Sequence, residues 1–131
     1  MVLSASMDPQ LLVVKENHVA TSWCLELIGR LDGTTADEFE RRLDASLAKG
    51  AHRVVLNCAQ LNYLSSAGLR VLLAYAKKIQ RAHGKLCLAA LTPTIRSVLE
   101  IAGFLSFLAL QPSVDEAMKQ VAEEVPLQPR S

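Results

Sequence analysis

The sequence predicts an α/β fold, a mixed β-sheet of about five strands with helices packed mainly on one face. Three observations carry that prediction. Two segments of strand character, Leu11-Leu12-Val13-Val14-Lys15-Glu16 and Ala20-Thr21-Ser22-Trp23-Cys24-Leu25-Glu26-Leu27-Ile28-Gly29, follow one another closely, as in a hairpin. A short apolar run, Val54-Val55-Leu56-Asn57-Cys58, has the pattern of a buried strand. An apolar-periodic helix follows it, and then a further strand, Lys85-Leu86-Cys87-Leu88-Ala89. Strand, crossover helix and strand make a βαβ unit, whose strands are expected to be parallel with a right-handed crossover.

Taken in order, the first two strands are joined through Asn17-His18, so the hairpin turn is expected there. In the second strand Trp23, Leu25 and Leu27 alternate with Cys24, Glu26 and Ile28, which predicts one buried face. Asp32-Gly33-Thr34-Thr35 supplies loop and cap residues, and Glu38 stands three after Thr35 as in a capping box. The helix opened there carries Phe39, Leu43 and Leu47 on one stripe and stops near Lys49-Gly50. After the strand Val54 to Cys58 comes a serine turn, then a helix from about Ala67 to Arg81. That helix should turn Leu69, Leu72, Leu73, Ala76 and Ile79 inward and Arg70, Lys77 and Lys78 outward. His83-Gly84 ends it. Pro93 opens a short helix through Val98, Leu99 and Ala102, closed by Gly103. Phe104 to Leu110 is expected as an edge strand, and Ser113 as the cap of a last helix through Val114, Ala117, Met118 and Val121. The chain thus divides into an N-terminal segment (1–10), one domain (11–125) and a proline-rich flexible tail (126–131).

Composition narrows the function classes. Half of the 131 residues are hydrophobic and only 5% aromatic, so the core must be aliphatic. A net charge of +1 gives no electrostatic argument for nucleic acid or an anionic membrane. No apolar run approaches the roughly 20 residues that cross a bilayer, and Met1 to Asp8 lacks the charged and apolar regions of a signal peptide. A cytoplasmic protein is expected. Cys24, Cys58 and Cys87 are odd in number, widely spaced and placed in strands; they read as buried reduced thiols, with neither disulfide nor metal spacing. No P-loop or GxGxxG is present, and no cofactor or metal is expected.

The serine turn, Asn62-Tyr63-Leu64-Ser65-Ser66-Ala67-Gly68-Leu69-Arg70, is the most informative stretch. It puts two hydroxyls where a strand hands over to a helix N-terminus, whose free N–H groups and partial positive charge accept a serine oxygen or a phosphate. A hydrolase nucleophile also sits at such a turn, but its elbow needs Gly two before and two after the serine. Ser66 has Gly68 after it and Leu64 before it, so half of the motif is missing. The base would have to be His18, His52 or His83, none with an acidic orienter evident. No enzymatic activity is expected. A solvated helix face explains Arg70, Lys77 and Lys78, which gain interest only from adjoining the serines; Asp32 and Asp37 could hold a cation in principle, but a loop Asp followed by Gly-Thr-Thr is more often a turn.

Together with Leu27-Ile28-Gly29-Arg30-Leu31-Asp32 and the order of segments, Leu61 to Leu73 resembles the STAS domain of bacterial anti-sigma-factor antagonists, a likeness that extends from about Leu11 to Val121. The resemblance implies a non-enzymatic module of partner switching. Its dephosphorylated form would bind an anti-sigma factor that is also a serine kinase, freeing the sigma factor. Phosphorylation of one serine at the helix start would break that complex, and a PP2C-type phosphatase would restore it. The family phosphoserine falls on Ser66, two before Gly68. Many members carry Asp just before it, where this chain has Ser65, which leaves Ser65 as a second candidate. The family's early-loop aspartate falls on Asp32. The implied partner-binding surface comprises Asp32, Thr34, Thr35, Ser65, Ser66, Gly68, Leu69 and Arg70. An alternative of another class is a constitutive STAS scaffold, or an accessory subunit of a signalling assembly or lipid-transport ATPase.

Overall fold

The computed structural model describes residues 11–105 and 108–122. Its strands are β1 (Leu12–Val19), β2 (Ser22–Leu31), β3 (Arg53–Leu64), β4 (Lys85–Ala89) and β5 (Ala109–Gln111), and its helices α1 (Ala36–Ala48), α2 (Ser66–Arg81), α3 (Pro93–Ile101) and α4 (Val114–Ala122). The five strands form one sheet in the order β1-β2-β3-β4-β5. β1 and β2 are antiparallel, and every later neighbour is parallel. The mixed sheet and the βαβ unit are as the sequence predicts. The expected N-terminal segment and C-terminal tail lie outside the described residues.

Alternation of side chains across the pleat sorts the helices onto two faces. Val54 and Leu56 of β3, with Leu25, Leu27 and Leu88, face Phe39 and Leu43 of α1, Leu69 and Leu72 of α2, and Ile95 and Leu99 of α3 in one mainly aliphatic core. The intervening Val55 points to the other side, where Cys87 and Ala89 meet Ala117 and Val121 of α4. Three of the four described helices therefore share a face. Arg53 donates to the carbonyl of Val121 at 2.7 Å, tying the end of α4 to the start of β3.

Several boundaries differ from the sequence expectation, each for a local reason. The hairpin turn is at Ala20-Thr21, not Asn17-His18: β1 runs on until Val19 pairs with Ser22, and Ala20 takes the positive φ of 54° that the tight turn needs. β3 extends six residues past the expected Cys58. Against β2 it carries register shifts between Glu26 and Ile28 and between Gly29 and Arg30, each adding a residue to β3. The bulges move the buried positions to Leu61 and Leu64, and so hide the strand from a period-two reading. In α2, Val71 and Tyr75 are buried while Leu73 and Ala76 are only partly so, because the helix also leans on α1, where Lys78 pairs with Asp44 at 2.8 Å. The edge strand begins at Ala109. Phe104 is held instead by the end of α3: its N–H reaches Leu99 O at 2.9 Å and that of Gly103, at φ 79°, reaches Glu100 O, which is a Schellman close.

Candidate functional site

β2 and β3 are parallel and end side by side, Leu31 opposite Leu64, so the loops that leave them emerge together at one edge of the sheet. The backbone joins them directly: Ser65 N–H donates to Leu31 O at 2.9 Å. A side chain at Gly68 would collide with this junction, since a Cβ there would lie 2.5 Å from Leu31 Cγ and 3.0 Å from Leu31 O. Gly68 is thus what allows the start of α2 to sit against the end of β2. Asp32-Gly33-Thr34-Thr35 and Ser65-Ser66-Ala67-Gly68 therefore leave the sheet side by side.

Asp32 organises the first loop. Its Oδ1 accepts from the Thr34 hydroxyl at 2.7 Å, from Thr34 N–H at 2.9 Å and from Thr35 N–H at 3.2 Å, and its Oδ2 faces Arg30 Nε at 3.4 Å. The Thr34 hydroxyl and then its N–H, more than the arginine, hold the Asp32 carboxyl below its ordinary range. Thr35 begins α1, but the expected capping box does not form. Its buried hydroxyl turns back into the loop, donating to Arg30 O at 2.8 Å and accepting from Asp32 N–H at 3.0 Å, and makes no cap bond to the helix. Glu38 instead pairs with Arg41.

The two serines are placed differently. Ser65 is extended (φ −92°, ψ 172°) and its Oγ accepts from Gly68 N–H at 3.2 Å, so Ser65 is the N-cap of α2. Ser66 is the first helical residue; it is exposed, and its hydroxyl is engaged by no other described residue. Arg70, one turn on, is exposed as well, and Thr34 is exposed on the facing loop. Thr35, Gly68 and Leu69 are buried and shape the surface from beneath.

Two residues of this edge carry no signal in the motif itself. The Arg30 guanidinium lies 4.2 Å from the centroid of the Tyr63 ring, and Tyr63 is 43% exposed. They are register partners on β2 and β3. Their positions two before Asp32 and two before Ser65 would have suggested a shared face, had β3 been expected to reach Leu64.

The three histidines lie elsewhere. His52 and His83 precede β3 and β4, at the sheet edge opposite the serines, and β3 is 12 residues long. His18 stacks on Trp23, which pairs with Val54 at that same far edge. Cys58 and Cys87 are buried and burial pushes their thiols up to about 12 and about 11, while Cys24 is half-buried and raised in the same way. No group of three or more metal-ligating side chains occurs among the described residues. No described helix is long and apolar enough to cross a membrane.

Against known proteins, the chain matches the STAS domain over residues 11–117. It is 43% identical over 94 residues to a Bordetella bronchiseptica protein named as an anti-sigma factor antagonist, BtrV, covering 72% of this chain and 79% of that one. Among solved structures it superposes on an anti-sigma factor antagonist from Mycobacterium paratuberculosis with a TM-score of 0.78 and 22% identity, over 86% of this chain and 95% of that one. It superposes as well on the Bacillus cell fate determinant SpoIIAA in its phosphorylated form, with a TM-score of 0.65 and 19% identity, over 83% and 99% of the two chains. The chain belongs to the STAS domain family of anti-sigma factor antagonists.

Proposed function

We propose that this protein is a phosphorylation-controlled partner switch: dephosphorylated, it binds an anti-sigma factor that is also a serine kinase and so releases a sigma factor; phosphorylated on Ser66, it lets the kinase go. A PP2C-type phosphatase resets it. The observation that carries this reading is the division of labour at the start of α2. Ser65 is committed to the cap, whereas Ser66 offers an exposed, unengaged hydroxyl on the surface shared with the Asp32 loop. A structural relative solved in phosphorylated form accords with it.

The physics of the switch lies in the interface. A phosphate adds about 1.5 to 2 negative charges at pH 7. At a helix N-terminus the free N–H groups and the dipole tolerate that charge, so the domain keeps its fold. A partner packed over a serine hydroxyl would face an unpaired dianion, and losing about 2.8 kcal/mol there corresponds to about 100-fold in affinity. The imidazoles at the far edge leave the serine turn with no histidine base, which supports a binding role over a hydrolytic one.

The test compares Ser66→Ala, Ser65→Ala and Ser66→Asp with the wild type for phosphorylation by the cognate kinase and for kinase affinity, with intact mass as readout. Ser66→Ala should take up no phosphate and still bind, Ser65→Ala should be phosphorylated, and Ser66→Asp should fold but bind weakly. Phosphate on Ser66→Ala but not on Ser65→Ala would move the site to Ser65. Phosphorylation of both at the wild-type rate, with normal binding by Ser66→Asp, would defeat the switch reading.

A further inference from the structure

We infer that Arg70 is the intramolecular partner of a phosphate on Ser66, so that phosphorylation both adds an anion and withdraws a cation from the docking face; this rests on Ser66 being the modified residue. Ser66 and Arg70 are four apart on α2 and therefore lie on one face, a turn from each other. Helical side chains lean toward the N-terminus, so Arg70 extends over the turn that Ser66 begins. Both are exposed, and Arg70 has no hydrogen-bond or ion-pair partner among the described residues.

Among the cations of β2 and α2, Arg70 is the one that lies within a turn of Ser66 and has no partner among the described residues. Arg30, on the neighbouring strand, is already occupied by the Asp32 carboxylate and the Tyr63 ring. Lys78 is paired with Asp44 lower on the helix, and the first turn of α2 holds no acidic residue to compete. Asp32, on the facing loop, adds a like charge to the phosphate's surroundings and increases the value of a cation on the other side. A guanidinium also matches phosphate with two parallel N–H bonds, which a lysine could not supply. In the dephosphorylated state the same guanidinium is open to a partner; in the phosphorylated state it is neutralised in place.

The experiment installs phosphoserine at position 66 of the full chain by genetically encoded incorporation, so that it does not depend on any kinase. The phosphate resonance is then followed by phosphorus NMR from pH 4 to 8 in the wild-type background, in Arg70→Gln and in Arg70→Lys. An ion pair favours the dianion, so Arg70→Gln should raise the second phosphate pKa by about 0.2 to 0.4 units, the span of an i,i+4 pair. Arg70→Lys should fall between the two, and 0.5 M salt should erase the difference. Identical titrations for wild type and Arg70→Gln at low salt would overturn the inference. Failure of the partner-switch reading shows separately, as a kinase that binds the phosphorylated and unphosphorylated chains equally, whatever the titration does.

Discussion

Ser65 and Ser66 differ in what their hydroxyls hold, and that difference is measurable without any partner. The Ser65 Oγ satisfies Gly68 N–H, one of the donors that a helix start leaves open. Ser65→Ala should therefore cost about 1 kcal/mol of stability, within a range of 0.5–2, while Ser66→Ala should stay within about 0.5 kcal/mol of wild type. Urea unfolding of both variants decides it, and equal losses would mean that the cap is shared. Asp32 makes a second residue-scale prediction, about pH. Its folded pKa is lowered, chiefly by the Thr34 hydroxyl, below the unfolded value of about 3.9. The contribution is present above that unfolded value and is lost as pH falls through the lowered one. Wild type should thus be more stable than Asp32→Asn at neutral pH, with the gap narrowing below about pH 4. Urea midpoints measured from pH 7 to 3 check this; a constant gap would show that Asp32 acts only through loop geometry.

At the scale of elements, the site depends on α2 beginning hard against the end of β2, and Gly68 is what permits it. Alanine has the better helix propensity, by about 1 kcal/mol, so a propensity argument alone has Gly68→Ala stabilising. The steric argument has the opposite sign. The new Cβ would strike Leu31 Cγ at 2.5 Å, in a side chain that is fully buried and cannot swing aside. A net loss of about 1–3 kcal/mol is expected, with weaker kinase binding as the serine turn moves off the Asp32 loop. Chemical denaturation and an affinity measurement test the two halves separately. This junction also marks how far the sequence could be read. The strand–serine–helix order, Gly68 and Asp32 were legible because they follow local chemistry: an apolar run, a hydroxyl pair, a glycine and a turn aspartate. The last six residues of β3 were not, because two bulges against β2 break the alternation that identifies a strand. Tyr63 and its stacking on Arg30 went with them. Thr35 had the sequence of a capping box, yet the loop offered its hydroxyl Arg30 O and Asp32 N–H instead, a competition that only the folded loop defines.

For the whole molecule, the pleat that sends Val54 and Leu56 to one face and Val55 to the other puts α2, which the serine turn opens, and α4 on opposite faces of the sheet. Nothing in a period of 3.6 says which face of a sheet a helix will cover. Val114, Ala117 and Val121 were legible as an apolar stripe, but their placement over Cys87 and Ala89 was not. On the proposed reading, the consequence is a domain with a responsive edge and a passive far side. The edge is built from loops, half-exposed side chains and the starts of α1 and α2, whereas α4 meets the sheet through small, buried residues that are close-packed and resist graded deformation. Phosphate on Ser66, or a kinase docked there, should therefore act locally. Amide hydrogen exchange of the free, phosphorylated and kinase-bound chain should show slowing by the kinase at residues 32–35 and 62–70. Phosphorylation alone should change exchange only in the first turn of α2, where the helix N–H groups meet the new charge. Amides of α4 and β4 should exchange at the same rate in all three states, and Cys87 should react with a thiol reagent equally slowly in each. Faster exchange across α4 on phosphorylation would mean that the two faces are coupled through β3, and that the switch works by remodelling the domain rather than its surface.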